Sequence, residues 1–373
     1  MRILLRAGYS PLQAAPANTP SRAGFGNSGN ILFSHSVFKG LYKHQNQIDI
    51  DGYDPEFASP EEINERYDAY VLPMANAFRP EFEAVLGRYT ALIRRLKIPC
   101  IVVGVGAQAG LDLAELRGAP MDATVKDFAS AVLDRSPAIG VRGEHSRDYL
   151  NRLGFNAIDI IGCPSMFFCG AEFSVLVKRP EDSMGLIAVN HGPGADAASA
   201  GFARSILASY PNSTFIAQET ANAQAWSAIV SEKSSLGQPH RVRHFREIAP
   251  WLAFMRTRSF SIGTRIHGNI AALLAGVPAV VIVHDSRTRE IARHHRIPHL
   301  LAGTVTADSE LEAILASVDV SPTNTAAGPL LDHFKAFLEK SGLDHAYDDP
   351  RNAAEFERRV TKHLGSATDA HHA

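Results

Sequence analysis

Short apolar runs rich in Val and Ile recur along the chain, separated by longer stretches in which apolar residues fall at every third or fourth position. "RILLRAG", "AYVLPM", "PCIVVGVGA", "IGVRG" and "IDIIGCPS" come first, and "MGLIAVNHG", "STFIAQ", "SFSIG" and "AVVIVH" follow. Helical spacing marks "RPEFEAVLGRYTALIRRLKI", "ATVKDFASAVLDR", "GEHSRDYLNRLGF", "GFARSILASY" and "REIAPWLAFMRTR". Strands alternating with helices predict an α/β fold of parallel sheets covered by helices. At 373 residues the chain exceeds one ordinary core, so two domains are expected. The connection "FFCGAEFSVLVKRPEDSM" marks their boundary, giving an N-terminal domain over 1–172 and a second over 180–322. A C-terminal helical segment over 323–373 is built on "GPLLDHFKAFLEKSG" and "PRNAAEFERRVTKHLG", with "SATDAHHA" as a frayed tail.

Composition narrows the function. Thirty-seven Lys and Arg against 39 Asp and Glu leave a formal charge of -2, which gives no general attraction to nucleic acid or anionic lipid. Any anion must therefore be bound locally. Cys100, Cys163 and Cys169 show neither paired spacing nor a CxxC, arguing against a disulfide framework or a thiolate zinc site. The opening "MRILLRAGYSP" carries too short an apolar run for a signal-peptide core, and no segment is long enough to span a bilayer. The expectation is a soluble, cytoplasmic protein. The sequence has no P-loop, HExxH, GxSxG or EF-hand pattern.

The most informative stretch is "SFSIGTRIHGNIAALLAGVP". Its strand should end near Ile262, Gly263 permits a sharp turn, and a helix should run from about Arg265 or Ile266 to Ala275, stopped by Gly276 and Pro278. A helix start after a parallel strand presents unpaired N–H groups at the carboxyl edge of the sheet, where α/β folds bind ligands. Gly263 and Thr264 would lie in that turn, and Arg265 adds a planar, bidentate donor for phosphate or carboxylate. The positive helix end should disfavour protonated His267, leaving a neutral ring suited to proton transfer. An isolated R-x-H also fits an arginine capping a neighbouring helix and a histidine packed inside.

Other segments add candidates. In "AVNHGPG", Asn190 and His191 end the first strand of the second domain and are candidate ligand contacts, with a plain turn as the alternative. The loop "GFGNSGN" before "ILFSHSVFKGL" suits an anion or sugar at a helix start, with Asn30 as N-cap and His35 facing the cleft; plain capping explains it equally. Gly104, Gly106 and Ala109 in "IVVGVGAQAG" mimic a dinucleotide fingerprint, but "LDLAELRGAPMD" intervenes before a convincing helix, so no cofactor is assigned there. Those small residues would instead keep a strand edge open. His294 and His295 are adjacent, diverge on a helix, and read as a basic, solvated helix end rather than a metal site.

Three matches, in order along the chain, resemble the polysaccharide pyruvyl transferase family. "IGTRIHGNIAALLAGVPAVVIVHDSRTREIARHHRIP" is similar to its C-terminal signature, "AIGVRGEHSRDYLNRLGFNAIDIIGCPSMFF" to its middle motif, and "GFGNSGNILFSHSVFKGL", more loosely, to its N-terminal turn. The resemblance implies two Rossmann-like domains facing across a cleft, GT-B-like, with C-terminal helices following. It further implies phosphoenolpyruvate as donor, a sugar hydroxyl pair as acceptor, and a pyruvate ketal on a glycan as product, without metal or cofactor. By position, Arg265 and His267 fall on the family's donor-site arginine and catalytic histidine, and Arg142 on the arginine of the middle motif. Asp285 and Arg287 fall on a late aspartate and a basic residue that is lysine in much of the family. Gly143 and Glu144 stand where the family often has an acidic residue directly after the arginine. Glu144 or Asp285 would be alternatives to His267 for part of the proton transfer. The acceptor would be a polysaccharide or its lipid-linked oligosaccharide precursor, as in exopolysaccharide biosynthesis, and the latter would bring peripheral contact with the inner membrane. Two other functions fit the same residues: a GT-B glycosyltransferase using a nucleotide sugar, and a non-catalytic glycan- or anion-binding protein.

Overall fold

Each apolar run becomes a parallel strand, and nearly all are followed by a helix laid back on the sheet. The computed structural model describes residues 1–13, 15, 26–111, 120–176, 185–233 and 241–369. Parts of "GFGNSGN", of "LDLAELRGAPMD" and of the interdomain connection lie outside the described residues. The chain forms two compact units, one of residues 1–25, 33–171 and 329–373, the other of residues 26–32 and 172–328.

In the first unit the strands are β1 (Arg2–Leu5), β2 (Gln47–Ile50), β3 (Ala69–Pro73), β4 (Cys100–Val103), β5 (Ile139–Val141) and β6 (Ile158–Ile160). Between them lie α1 (Ser28–Leu41), whose first turns belong to the other unit, α2 (Pro60–Arg66), α3 (Glu83–Arg95), α4 (Asp122–Leu133) and α5 (Glu144–Arg152). Strands β2-β1-β3-β4 form one parallel sheet and β5-β6 pair separately. A bridge from Val105 to Val141, with the Arg142 amide donating to the Val105 carbonyl at 3.0 Å, carries the sheet on to that pair. Strands β3 and β4 are buried throughout, as parallel strands covered on both faces must be. Gly104, left-handed at φ +66°, has no room for a side chain: a Cβ there would sit 2.9 Å from Pro164 Cδ. Its smallness serves packing rather than an open strand edge.

The second unit holds β7 (Ile187–Asn190), α6 (Ala197–Ser209), β8 (Thr214–Ala217), α7 (Thr220–Lys233), β9 (Val242–His244), α8 (Ile248–Arg256), β10 (Phe260–Gly263), α9 (Ile266–Leu274), β11 (Ala279–Val283), α10 (Ser286–His294), β12 (His299–Leu301) and α11 (Leu311–Ser317). Its parallel sheet is ordered β12-β11-β10-β7-β8-β9. The order reverses at β7, so the ends of β7 and β10 lie side by side where such sheets bind ligands, with Gly263 paired to Asn190. Below that edge Trp226 stacks on Phe215 at 4.2 Å between ring centroids.

Helices α12 (Ser321–Lys340) and α13 (Pro350–Asp369) close the chain. From Pro329 onward they belong to the first unit, where Phe334 stacks on Phe167 at 4.9 Å and Phe356 meets Tyr42 at 5.6 Å. The helix α13 runs on to Asp369, into the segment expected to be a frayed tail. No helix among the described residues is long and apolar enough to cross a membrane.

A buried polar knot sits where β1 and β2 end. Arg6 donates to the Pro73 carbonyl at 2.9 Å and its guanidinium lies 4.6 Å from the Tyr53 ring centroid. Asp51 accepts from the hydroxyls of Tyr70 at 2.6 Å and Tyr89 at 3.1 Å. Burial, against the pull of Arg6 and these hydrogen bonds, pushes the Asp51 carboxyl up to about 6. The folded protein therefore holds this proton more tightly than the unfolded chain, and stability drops as pH rises from the ordinary aspartate value through about 6. Between about pH 4 and pH 7 the wild type should lose up to ~3 kcal/mol relative to Asp51→Asn, read from urea unfolding at each pH. A difference independent of pH would refute this assignment.

Candidate functional site

The second unit's strands end in polar residues on one edge: Asn190 at the end of β7 and His191 after it, Gln218 and Glu219 after β8, His244 on β9, Thr264 and Arg265 after β10, His284 and Asp285 after β11. The centre of this row is a backbone crossing. Gly263 has φ +152°, and a Cβ there would lie 1.8 Å from the Asn190 carbonyl oxygen, so glycine alone fits. The Thr264 amide donates to that same carbonyl at 3.1 Å.

A carboxamide pair locks the crossing. Asn269, fully buried in α9, donates to the Gly263 carbonyl at 2.9 Å and accepts from Asn190 Nδ2 at 3.1 Å and Ser261 Oγ at 2.9 Å. Asn190 Oδ1 accepts from the Arg265 amide at 2.8 Å. Thr264 Oγ1 accepts from the Gly192 amide at 2.8 Å. Gly263, Thr264 and Asn190, expected from the sequence as ligand contacts, have their polar groups turned inward to hold the turn. Asn269 escapes a sequence reading, because an asparagine inside an apolar helix carries no signal until its partners are known.

The turn delivers Arg265 to the N-cap of α9 and places His267 in its first turn. Arg265 Nη2 donates to Glu219 Oε2 at 2.7 Å, while Nε is buried without an acceptor among the described residues. Gln218 Nε2 is likewise buried without one. Two unspent donors beside a helix N-terminus are the groups that local binding of an anion requires on a chain with almost no net charge. His267, 8% exposed, lies under the first turn of α1: a Cβ on Gly29 would come within 2.8 Å of His267 Nδ1 and 2.9 Å of Gln218 Oε1.

That turn is capped by Asn27, not Asn30. Asn27 Oδ1 accepts from the Gly29 amide at 2.9 Å and the Asn30 amide at 3.2 Å, so Asn30 lies inside the helix. The Ser28 amide donates to the Gln218 carbonyl at 2.9 Å, tying α1 to the end of β8.

The remaining candidates surround or leave this group. His191 is buried with Nε2 3.2 Å from Ser199 Oγ, and burial lowers its titration. Asp285 caps α10 through a reciprocal bond with Thr288 and is gripped by Arg287 at 2.8 Å through Nε and 2.5 Å through Nη2. Burial would raise its carboxyl, but Arg287, His284 and the Thr288 amide together hold it below the ordinary range. Its carboxylate thus serves at once as the cap of α10 and the counter-ion of Arg287. His284, without a signal in the sequence, titrates low first through burial and then through nearby Arg287 and Arg265. Arg142 belongs to the first unit, buried, its guanidinium 4.6 Å from the Phe33 ring centroid. Glu144 opens α5 and is exposed. His35 is turned into the interior: its Nε2 lies 3.1 Å from the Tyr9 carbonyl, and burial lowers it to about 4. His295 is buried as the C-cap of α10, its titration driven down by burial and His294, which replaces the solvated helix end expected there.

The polysaccharide pyruvyl transferase family model matches residues 27–286, well over half of the chain. The chain belongs to this family. The matched span begins at Asn27, the cap of α1, and ends just past Asp285, so this pyruvyl transferase family member carries the whole polar edge within its family region. Its fold is similar to that of the UDP-GlcNAc 2-epimerase from Neisseria meningitidis, solved with UDP-GlcNAc: 12% identity, 91% of this chain and all of that one covered, TM-score 0.51. An Anabaena protein, HepE, solved with UDP-glucose, is similar at 12% identity over 98% of this chain and all of its own, TM-score 0.46. The architecture is GT-B-like, with two Rossmann-like domains and C-terminal helices. No curated protein matches the chain significantly in sequence.

Replacing Asn269 by Ala strands the buried Asn190 amide and the Gly263 carbonyl, and should cost about 2–4 kcal/mol in thermal or urea unfolding. Gly263→Ala should cost at least as much, since the β7–β10 crossing must open. An unfolding midpoint equal to wild type in either variant would contradict the crossing.

Proposed function

We propose that this chain transfers the pyruvyl group of phosphoenolpyruvate to a pair of sugar hydroxyls on a polysaccharide or its lipid-linked precursor, forming a cyclic ketal. The observation that carries this reading is Arg265, seated as N-cap of α9 with a buried Nε–H to spare, two residues before His267. Phosphoenolpyruvate presents a carboxylate and a phosphate on one small frame, and needs directional cations and backbone donors to hold it. Arg265 and the Gln218 amide are such donors, beside a helix start whose dipole favours an anion, and we assign Arg142 of the first unit to substrate binding.

In the proposed reaction the oxygen of one acceptor hydroxyl bonds to C2 of the donor while its proton passes through His267 to the C3 methylene, which becomes the methyl group of the ketal. The second hydroxyl then bonds to C2, the C2–O bond to phosphate breaks, and the remaining proton leaves with inorganic phosphate. Arg265 and the helix terminus stabilise the departing charge. Phosphoenolpyruvate is a substrate here, and the proposal includes no metal or cofactor. We place the reaction in the cytoplasm, with peripheral approach to the inner membrane where the acceptor is lipid-linked.

Calorimetric titration of phosphoenolpyruvate, and separately of UDP- and GDP-sugars, tests this without an acceptor. Phosphoenolpyruvate should bind saturably, sugar nucleotides should be silent, and Arg265→Ala should weaken binding at least ~10-fold. His267→Gln should bind phosphoenolpyruvate within a few-fold of wild type, yet slow acceptor-dependent phosphate release by ~10²–10⁴-fold. Tight binding of a sugar nucleotide with none of phosphoenolpyruvate would overturn the assignment in favour of glycosyl transfer.

A further inference from the structure

Glu219 is the carboxylate paired with Arg265, and it serves two donors at once. Its Oε2 accepts from Arg265 Nη2 at 2.7 Å, and its Oε1 accepts from Asn27 Nδ2. Asn27 cannot rotate to suit another partner, because its own Oδ1 is committed to the Gly29 and Asn30 amides. An amide at 219 could therefore satisfy Arg265 or Asn27 but not both, since one of its two ends must donate. Only a carboxylate closes the chain from the cap of α1 through residue 219 to the guanidinium. On its other side Arg265 lies against backbone, a Cβ on Gly192 falling 3.1 Å from Nε. Glu219 on one side and the Gly192 backbone on the other bound the guanidinium.

We propose that Glu219 is the positioning residue of the anion site: it fixes the plane of Arg265 and couples it to the turn of α1 that covers His267. The inference rests on the reading of Arg265 as an anion ligand given above, and goes beyond it by making the orientation of that arginine depend on an internal acid. Simple electrostatics predicts the reverse. A carboxylate next to an anion site repels the ligand, so its removal should tighten binding if its charge were all that mattered. If positioning matters more, removing it weakens binding, because an arginine free to rotate loses freedom again when it grips its ligand.

The test uses the full-length protein with inorganic phosphate and phosphoenolpyruvate as probes, titrated calorimetrically into wild type, Glu219→Ala, Glu219→Gln and the double variant Asn27→Asp with Glu219→Gln. The double variant reverses one hydrogen bond and keeps the rest: the carboxylate introduced at position 27 still caps α1 and accepts from the new glutamine amide, whose oxygen accepts from Arg265, at unchanged net charge. Both single variants should bind either probe ~10-fold more weakly, and the double variant should return to within about threefold of wild type. Thermal unfolding of all four separates a lost site from a lost fold, because the double variant must regain affinity and midpoint together. Equal or tighter binding by Glu219→Ala, or no recovery in a stably folded double variant, would overturn the positioning role. If phosphoenolpyruvate fails to bind wild type while phosphate shows the predicted pattern, the donor assignment fails and the role of Glu219 stands. If phosphoenolpyruvate binds every variant alike, the donor assignment stands and the role of Glu219 fails.

Discussion

The crossing of β7 and β10 at Gly263 is the constraint on which the site depends. Two chain segments pass so closely there that no side chain fits, and the contact is held by a closed set of hydrogen bonds between Asn190 and Asn269. Buried carboxamides are costly unless every donor and acceptor is met, and here the partners are backbone groups that a helix start and a strand end would otherwise leave unpaired. The same bonds that remove that cost set the direction of α9. Arg265 then emerges at a defined place because its own amide is tied to Asn190.

Much of the fold was legible because parallel strands covered on both faces read as continuous apolar runs. The three strands the runs did not reveal, Gln47–Ile50, Val242–His244 and His299–Leu301, are all sheet edges. Their partial exposure leaves too little apolar sequence to stand out. Helix α7 escaped for a related reason: its apolar residues form no stripe, and Trp226 carries its stacking on the sheet. In "SFSIGTRIHGNIAALLAGVP" strand, turn and helix fall within a residue of the expected bounds, since glycine and proline punctuate them directly.

The site was less legible than the fold. Arg265 and His267 announce themselves by type and place, but Glu219, Gln218 and Asn27 become meaningful only once the end of β8 and the start of α1 meet the turn after β10. No spacing rule links residues 27, 219 and 265. The cap of α1 lies three residues earlier than expected because both Asn27 and Asn30 suit a cap, and only the direction of the hydrogen bonds separates them. Histidine abundance misleads in the same way. His35 and His295 are interior side chains kept neutral by burial, indistinguishable by sequence from a histidine at work.

The row of polar strand ends also bears on how the protein matures. Residues 190, 218, 219 and 265 come from well-separated parts of the chain, and each reaches its place only when its strand has found its parallel neighbour. Parallel pairing is non-local and slow to nucleate, so a half-assembled sheet holds the apolar layers but not the edge. A ligand of that edge has nothing to grip before β7, β8 and β10 are in register, and its binding energy accrues to the finished chain alone. An intact edge is thus a certificate that the second unit's sheet is complete.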